Sequence, residues 1–165
     1  MAEGKISIYT GTGRGKTPAA LGTALRRASR GDSVIVILFL KGKGFEESEF
    51  LRRLEPEIKF FRFEKSDIPF DQRSEEEKQE DRTNIMNGLN FARKVLTTSE
   101  CDLLVLDEVL GLVDNGILSA RDLKTLLDCR KETDVVLTGI TMKDELYTFA
   151  DEITRMETEQ FKAYN

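Results

Sequence analysis

The chain has 165 residues, 39% hydrophobic and 33% charged with 12 Gly and 3 Pro, which is about one domain's worth of sequence with enough apolar content to exclude wholesale disorder. Its 25 Lys+Arg against 30 Asp+Glu give a net charge of −5, which argues against a dedicated nucleic-acid binder. Histidine is absent, and with it His-based acid–base chemistry, Ser-His-Asp triads and His metal sites.

In chain order, Lys5–Tyr9 reads as a strand running into a glycine-rich turn. Residues Thr17–Ser29 follow as a helix, with Ala20, Leu21, Ala24, Leu25 and Ala28 at helical spacing. The nearly continuous apolar run Ser33–Leu40 has the pattern of a strand covered on both faces. Glu46–Leu54 reads as a short helix and Ile58–Phe63 as a strand. The charged stretch Asp67–Gln79, which holds Pro69, reads as a loop leading into a helix that continues to about Thr98, with Ile85, Leu89, Ala92 and Leu96 on one stripe. Its charge run Glu75–Asp81 reads as a solvated helix face. Asp102–Leu106 is a buried strand ending in Asp107-Glu108. Ser119–Cys129 is a helix with Ser119 as N-cap and Asp122 in the first turn. Asp134–Thr138 is a strand, Lys143–Ala150 a helix and Glu152–Met156 a last short strand.

Strand and helix alternate throughout, so the expected fold is α/β, a mostly parallel sheet with helices on both faces, forming a single domain over residues 1–165. The longest apolar run, Val34–Leu40, spans 7 residues against the ~20 of a membrane helix. No charged leader followed by an apolar stretch opens the chain, and the expectation is a cytoplasmic protein without membrane contact. Cys101 and Cys129 flank apolar segments and form no CxxC pair, so they read as small buried hydrophobes.

In parallel sheets ligands sit at the carboxyl ends of strands, which directs attention to the residues after Tyr9, Leu40, Leu106 and Thr138. After the first strand comes Thr10-Gly11-Thr12-Gly13-Arg14-Gly15-Lys16-Thr17, then the helix. The glycines let successive N–H groups point inward as an anion-binding nest, and the helix N-terminus adds its partial positive charge. Lys16 is placed to reach phosphate oxygens and the Thr17 hydroxyl to coordinate a Mg²⁺ bridging them. Thr10 stands where the strict G-x-x-x-x-G-K-[ST] pattern has glycine, so this is a compact variant, G-x-G-x-G-K-T. Pro18 sits in the first helical turn, where a missing N–H is tolerated. Arg14 reads either as a second phosphate clamp or as a solvent-facing side chain.

Leu103-Leu104-Val105-Leu106-Asp107-Glu108 has the Walker B shape, in which the first carboxylate holds Mg²⁺. Glu108 reads as an activator of water or as a contact to a ribose hydroxyl. Lys41, after Phe39-Leu40, reads as a cation near an anionic ligand or as a surface lysine. Gly139, after Thr138, reads as a point of close ligand approach or as a turn. Phe70 stands in an acidic loop, Asp67-Ile68-Pro69-Phe70-Asp71.

These residues resemble the P-loop class of ATP:corrinoid adenosyltransferases. The likeness lies in Tyr9 to Thr17, in Ala19-Ala20-Leu21-Gly22 with Ala24-Leu25-Arg26, and in Phe39-Leu40-Lys41-Gly42. It continues in Leu104-Val105-Leu106-Asp107-Glu108, in Val135-Val136-Leu137-Thr138-Gly139 and in Ala150-Asp151, so it runs from residue 5 to about 156 in order. It implies a P-loop NTPase-like (RecA-like) domain that transfers the 5′-deoxyadenosyl group of ATP to the Co(I) of a reduced corrinoid and releases triphosphate, in cobalamin biosynthesis or salvage. Gly11, Thr12, Gly13, Arg14, Gly15, Lys16 and Thr17 would hold the triphosphate, with Lys41 and Gly139 beside the ligands, Mg²⁺ on Thr17 and Asp107, Glu108 on ribose or metal, and Phe70 on the lower face of the corrinoid. A homodimer and a flavoprotein reductant are implied as partners. Ile140 follows Thr138-Gly139 where the family usually has arginine, and the chain has no Trp. Two other readings of the same fold are a non-catalytic paralogue that binds ATP or adenosylcobalamin, and a general ATPase or small-molecule kinase.

Overall fold

A computed structural model of the chain describes residues 2–39, 49–63, 70–141 and 144–163, with the backbone alone at Glu49 and Phe70. Six strands, β1 (Ile6–Thr10), β2 (Val34–Leu38), β3 (Ile58–Arg62), β4 (Leu103–Asp107), β5 (Asp134–Thr138) and β6 (Glu152–Arg155), form one sheet in the order β3-β2-β4-β5-β1-β6. Every neighbouring pair is parallel. Strands β2 and β4 are buried at all positions, which is why they read as continuous apolar runs rather than alternating ones.

Alternate residues of β1, β2, β4 and β5 feed two cores. Ile6, Ile8, Ile35, Ile37, Leu104, Leu106, Val135 and Leu137 face one layer, which also holds Ile85, Leu89, Ala92 and Leu96 of helix α3 (Glu75–Thr98) and Leu123, Leu126 and Leu127 of helix α5 (Ala120–Leu127). Val34, Val36, Leu38, Leu103, Val105 and Val136 face the other, against Ala20 and Ala24 of helix α1 (Lys16–Ala28). The small alanines Ala20 and Ala24 of α1 are buried against that layer. Helices therefore cover both faces, as the alternating pattern predicts.

Several local features differ from the sequence reading. Helix α3 begins at Glu75, inside the stretch read as loop, because Ser74 and Glu77 form a reciprocal capping box: Ser74 Oγ accepts the Glu77 N–H at 3.2 Å and Glu77 Oε2 accepts the Ser74 N–H at 2.8 Å. The charge run there is not wholly solvated. Asp81, 6% exposed, turns inward and pairs with the equally buried guanidinium of Arg73. A six-residue helix α4 (Val109–Asp114), absent from the sequence reading, follows β4 directly. The segment read as helix Lys143–Ala150 is a 3-10 turn over Asp144–Phe149. The short helix read at Glu46–Leu54 is described as α2 (Glu49–Arg52). Cys101 is buried and its thiol is pushed up to about 12, chiefly by that burial, while Cys129 is half-buried; both are free.

Candidate functional site

The loop between β1 and α1 runs from Gly11 to Gly15, and both of those glycines have positive φ, 108° and 106°. Only glycine adopts such angles without strain, so the turn from strand to helix depends on them. Gly15 is the N-cap of α1, which carries no side-chain cap and no acidic residue in its first turn. The positive end of the helix is thus left to whatever anion the loop receives. Lys16 folds back over the loop, its Nζ donating to the Gly13 carbonyl at 2.8 Å.

Ninety residues further on, β4 delivers Asp107 to the same place. Thr17 Oγ1 donates to Asp107 Oδ1 at 2.9 Å and approaches Oδ2 at 3.2 Å. From β5, Thr138 Oγ1 donates to Asp107 Oδ1 at 2.7 Å and accepts the Glu108 N–H at 2.8 Å. Asp107 is 1% exposed and Thr138 fully buried. The side chains form a relay from the Glu108 amide through Thr138 to Asp107, met from the other side by Thr17. Hard oxygen donors converge here, which is the donor chemistry a Mg²⁺ ion takes.

Glu108 sits at φ 64°, the left-handed region that non-glycine residues rarely occupy. Strain of this kind clusters at ligand sites, where the surrounding structure holds the residue in place. The hydrogen bond from its amide to Thr138 is part of that hold. Gly139, at φ 134°, is required for a reason internal to the fold: a Cβ there would lie 2.9 Å from Leu110 Cβ and 3.1 Å from the Gly111 nitrogen of α4. Its amide donates to the Tyr9 carbonyl at 3.3 Å.

The glycines of the loop also make room for the chain itself. A Cβ on Gly11 would stand 2.3 Å from the Met156 carbonyl oxygen, and one on Gly13 would stand 2.7 Å from Glu157 Cα. The segment following β6 lies against the loop.

The structure thus brings together Gly11, Thr12, Gly13, Arg14, Gly15, Lys16, Thr17, Asp107, Glu108 and Gly139 at the carboxyl edge of β1, β4 and β5. Lys41 lies outside the described residues. The backbone of Phe70 opens a 3-10 turn, Phe70–Gln72, ahead of α3. Thr138 was not singled out from the sequence. The available signal was its place: register pairs Leu106 with Leu137, so the next residues along, Asp107 and Thr138, end their strands side by side.

A parallel sheet with a glycine-rich loop and lysine after β1, and a buried aspartate on the threonine beside that lysine, defines a P-loop NTPase-like domain of the RecA-like kind. A KaiC-like protein from the hyperthermophilic archaeon Pyrococcus horikoshii shares that fold, with a TM-score of 0.62 at 17% identity over 98% of this chain and 76% of that one. Sequence carries the assignment further. The family description ATP:corrinoid adenosyltransferase BtuR/CobO/CobP matches residues 2–164, and the chain belongs to that family. It is 29% identical to the corrinoid adenosyltransferase of Escherichia coli K12, over 93% of this chain and 76% of that protein. Against the corrinoid adenosyltransferase CobA of Salmonella typhimurium it is 28% identical over the same shares.

Proposed function

We propose that the protein transfers the 5′-deoxyadenosyl group of MgATP to the Co(I) of a reduced corrinoid, in cobalamin biosynthesis or salvage. The observation that carries the reading is the junction of half-buried Thr17 with buried Asp107 and Thr138 beside the phosphate loop. In this reaction the cobalt of the substrate is the nucleophile. A Co–C5′ bond forms, the C5′–O bond breaks, and both electrons of that bond leave with triphosphate. No protein base is needed, which suits a chain without histidine. The protein's share is positioning, exclusion of water and stabilisation of the charge that grows on the leaving group.

Lys16 turns from the Gly13 carbonyl to the triphosphate, and the cradle of Gly11, Thr12, Arg14, Gly15 and Thr17 receives the rest of its oxygens, with Gly13 shaping the turn between them. Thr17 and Asp107 would hold Mg²⁺, which would supply charge neutralisation on the leaving triphosphate. Glu108, fixed by its left-handed backbone, contacts the ribose or the metal. Gly139 and Lys41 border the ligands, and Phe70 works on the lower face of the corrinoid. The protein acts in the cytoplasm as a homodimer of single-domain chains, supplied with Co(I) by a flavoprotein reductant. Among the described residues no helix is long and apolar enough to cross a membrane.

The test is anaerobic incubation with MgATP and chemically reduced cobalamin, or cobinamide, following the Co(I) spectrum and assaying the phosphate product. Adenosylated corrinoid with equimolar triphosphate is the expected result. ADP with phosphate would replace the reading with hydrolysis or phosphoryl transfer, and tight ATP binding without product would make the chain a binding protein.

A further inference from the structure

The segment after β6 holds the phosphate loop in two ways of unequal strength. Its first hold is main-chain. The Met156 N–H donates to the Thr10 carbonyl at 2.8 Å, continuing the β1–β6 ladder, and the Met156 carbonyl accepts the Gly13 N–H at 2.9 Å. The absent side chains of Gly11 and Gly13 let this backbone lie flush on the loop. Its second hold falls wholly on Arg14. Thr158 Oγ1 accepts the Arg14 N–H at 2.9 Å, and the Arg14 guanidinium carbon stands 3.5 Å from the centre of the Phe161 ring. Arg14 and Thr158 are exposed and Phe161 is 50% exposed, so this second hold sits in water.

We propose that residues 156–161 form a strap on the phosphate loop whose outer half, Thr158 and Phe161, an incoming nucleoside triphosphate displaces from Arg14. This rests on the nucleotide-binding reading above. The amide and guanidinium of Arg14 are the groups a phosphate would recruit from the middle of such a loop. A threonine hydroxyl is a neutral acceptor and a phosphate oxygen a charged one, and charge-assisted hydrogen bonds are roughly twice as strong as neutral ones. The exchange therefore runs toward phosphate, while the water-exposed contact with Phe161 is weak enough to yield. The main-chain hold at Met156 stays, so the loop keeps its shape while Arg14 changes partner. In the absence of nucleotide the strap competes for Arg14 and lowers apparent affinity by the fraction of molecules in which it is closed.

The experiment uses the full chain and MgATP. Phe161→Ala is expected to tighten ATP binding about two- to fivefold in equilibrium dialysis, the factor that loss of an exposed cation–π contact converts to. Thr158→Val is expected to act in the same direction. In an Arg14→Ala background Phe161→Ala should do nothing, because the contact it removes is already gone. The chain has no tryptophan, so Phe161→Trp places a single reporter under Arg14. Saturating MgATP should increase its quenching by acrylamide as the strap leaves the loop. Unchanged quenching at saturation, or weaker binding in Phe161→Ala, would overturn the strap while leaving nucleotide binding intact. Absence of ATP binding in the wild-type chain and all variants would overturn the nucleotide reading and the strap with it.

Discussion

The two edges of the sheet both carry aspartates, bonded to different kinds of partner. At the amino edge, Asp102, Asp134 and Asp151 accept main-chain N–H groups from Ser33, Lys5 and Ile6 at 2.9, 2.8 and 2.8 Å. Asp32 and Asp134 also share the guanidinium of Arg27. Burial alone would lower the Arg27 pKa, but the hydrogen bonds it donates to these two carboxylates, together with their negative charges, outweigh that and raise the group above its ordinary value. At the carboxyl edge Asp107 accepts from two neutral hydroxyls, those of Thr17 and Thr138. The first arrangement staples the start of one strand to the next. The second buries a carboxylate among hydroxyls that can rotate to serve a different acceptor, which is what a site exchanging ligands needs. Residue type does not separate the two kinds of aspartate; the strand end at which each stands, and the main-chain amides bound at the amino edge, do.

Asp107→Asn should separate the edges most widely. Asparagine keeps an acceptor for Thr138 and removes the charge that would hold Mg²⁺. Adenosyl transfer is expected to fall at least about a hundredfold, roughly 2.7 kcal/mol in transition-state terms, with Tm unchanged or raised. A Tm that collapses with activity would make Asp107 structural and erase the contrast. Asp134→Ala is the mirror experiment. It strips an acceptor from the Lys5 amide and a partner from Arg27, and stability measured by urea unfolding should drop by about 2 kcal/mol while ATP affinity holds. An affinity loss as large as the stability loss would mean that the two edges are coupled. Lys16→Ala returns to the carboxyl edge: ATP affinity should weaken at least about tenfold, or about 1.4 kcal/mol, with little change in Tm. Unchanged affinity in dialysis would remove the phosphate loop from the site.

Much of the amino-to-carboxyl polarity was legible in the residues because buried parallel strands announce themselves as apolar runs, and the Gly-Lys-Thr turn falls directly after the first of them. What escaped has a common physical cause. Helix α4 is six residues of mostly apolar chain, and a run that short has no period to separate helix from strand. Thr138 looks like any β-branched strand residue until register sets it beside Asp107. Gly11 and Gly13 read as ligand glycines, yet the chain that fills the space above them arrives from far away in sequence; the Arg14–Thr158 contact spans 144 positions. Asp81 belongs to a charge run whose outward face dominates its pattern, and the inward pairing with Arg73 is a tertiary fact. The resemblance supplied the corrinoid half of the reading, on residues such as Lys41 and Phe70 whose role no local pattern dictates.

The smallest effect extends the contrast beyond the sheet. Glu77 accepts the main-chain N–H of Ser74, so by the same rule it belongs with the amino-edge aspartates although it is exposed and lies on a helix. Ser74→Ala removes the other half of the capping box and should cost about 1 kcal/mol of stability, leaving ATP affinity unchanged. Glu77→Gln isolates the charge. The Glu77 carboxyl is held below its ordinary value of 4.5, first by the Ser74 backbone N–H and then by the Ser74 side chain. Because the folded value lies below the unfolded one, its contribution is present above pH 4.5 and is lost as pH falls through the folded value. The Tm of the glutamine variant should therefore lie below that of the wild-type chain at neutral pH, and the two should converge on acidification. A gap that persists unchanged into acid would assign the loss to helix geometry rather than charge. A change in ATP affinity in either variant would break the rule that a carboxylate bonded to main-chain amides serves the fold.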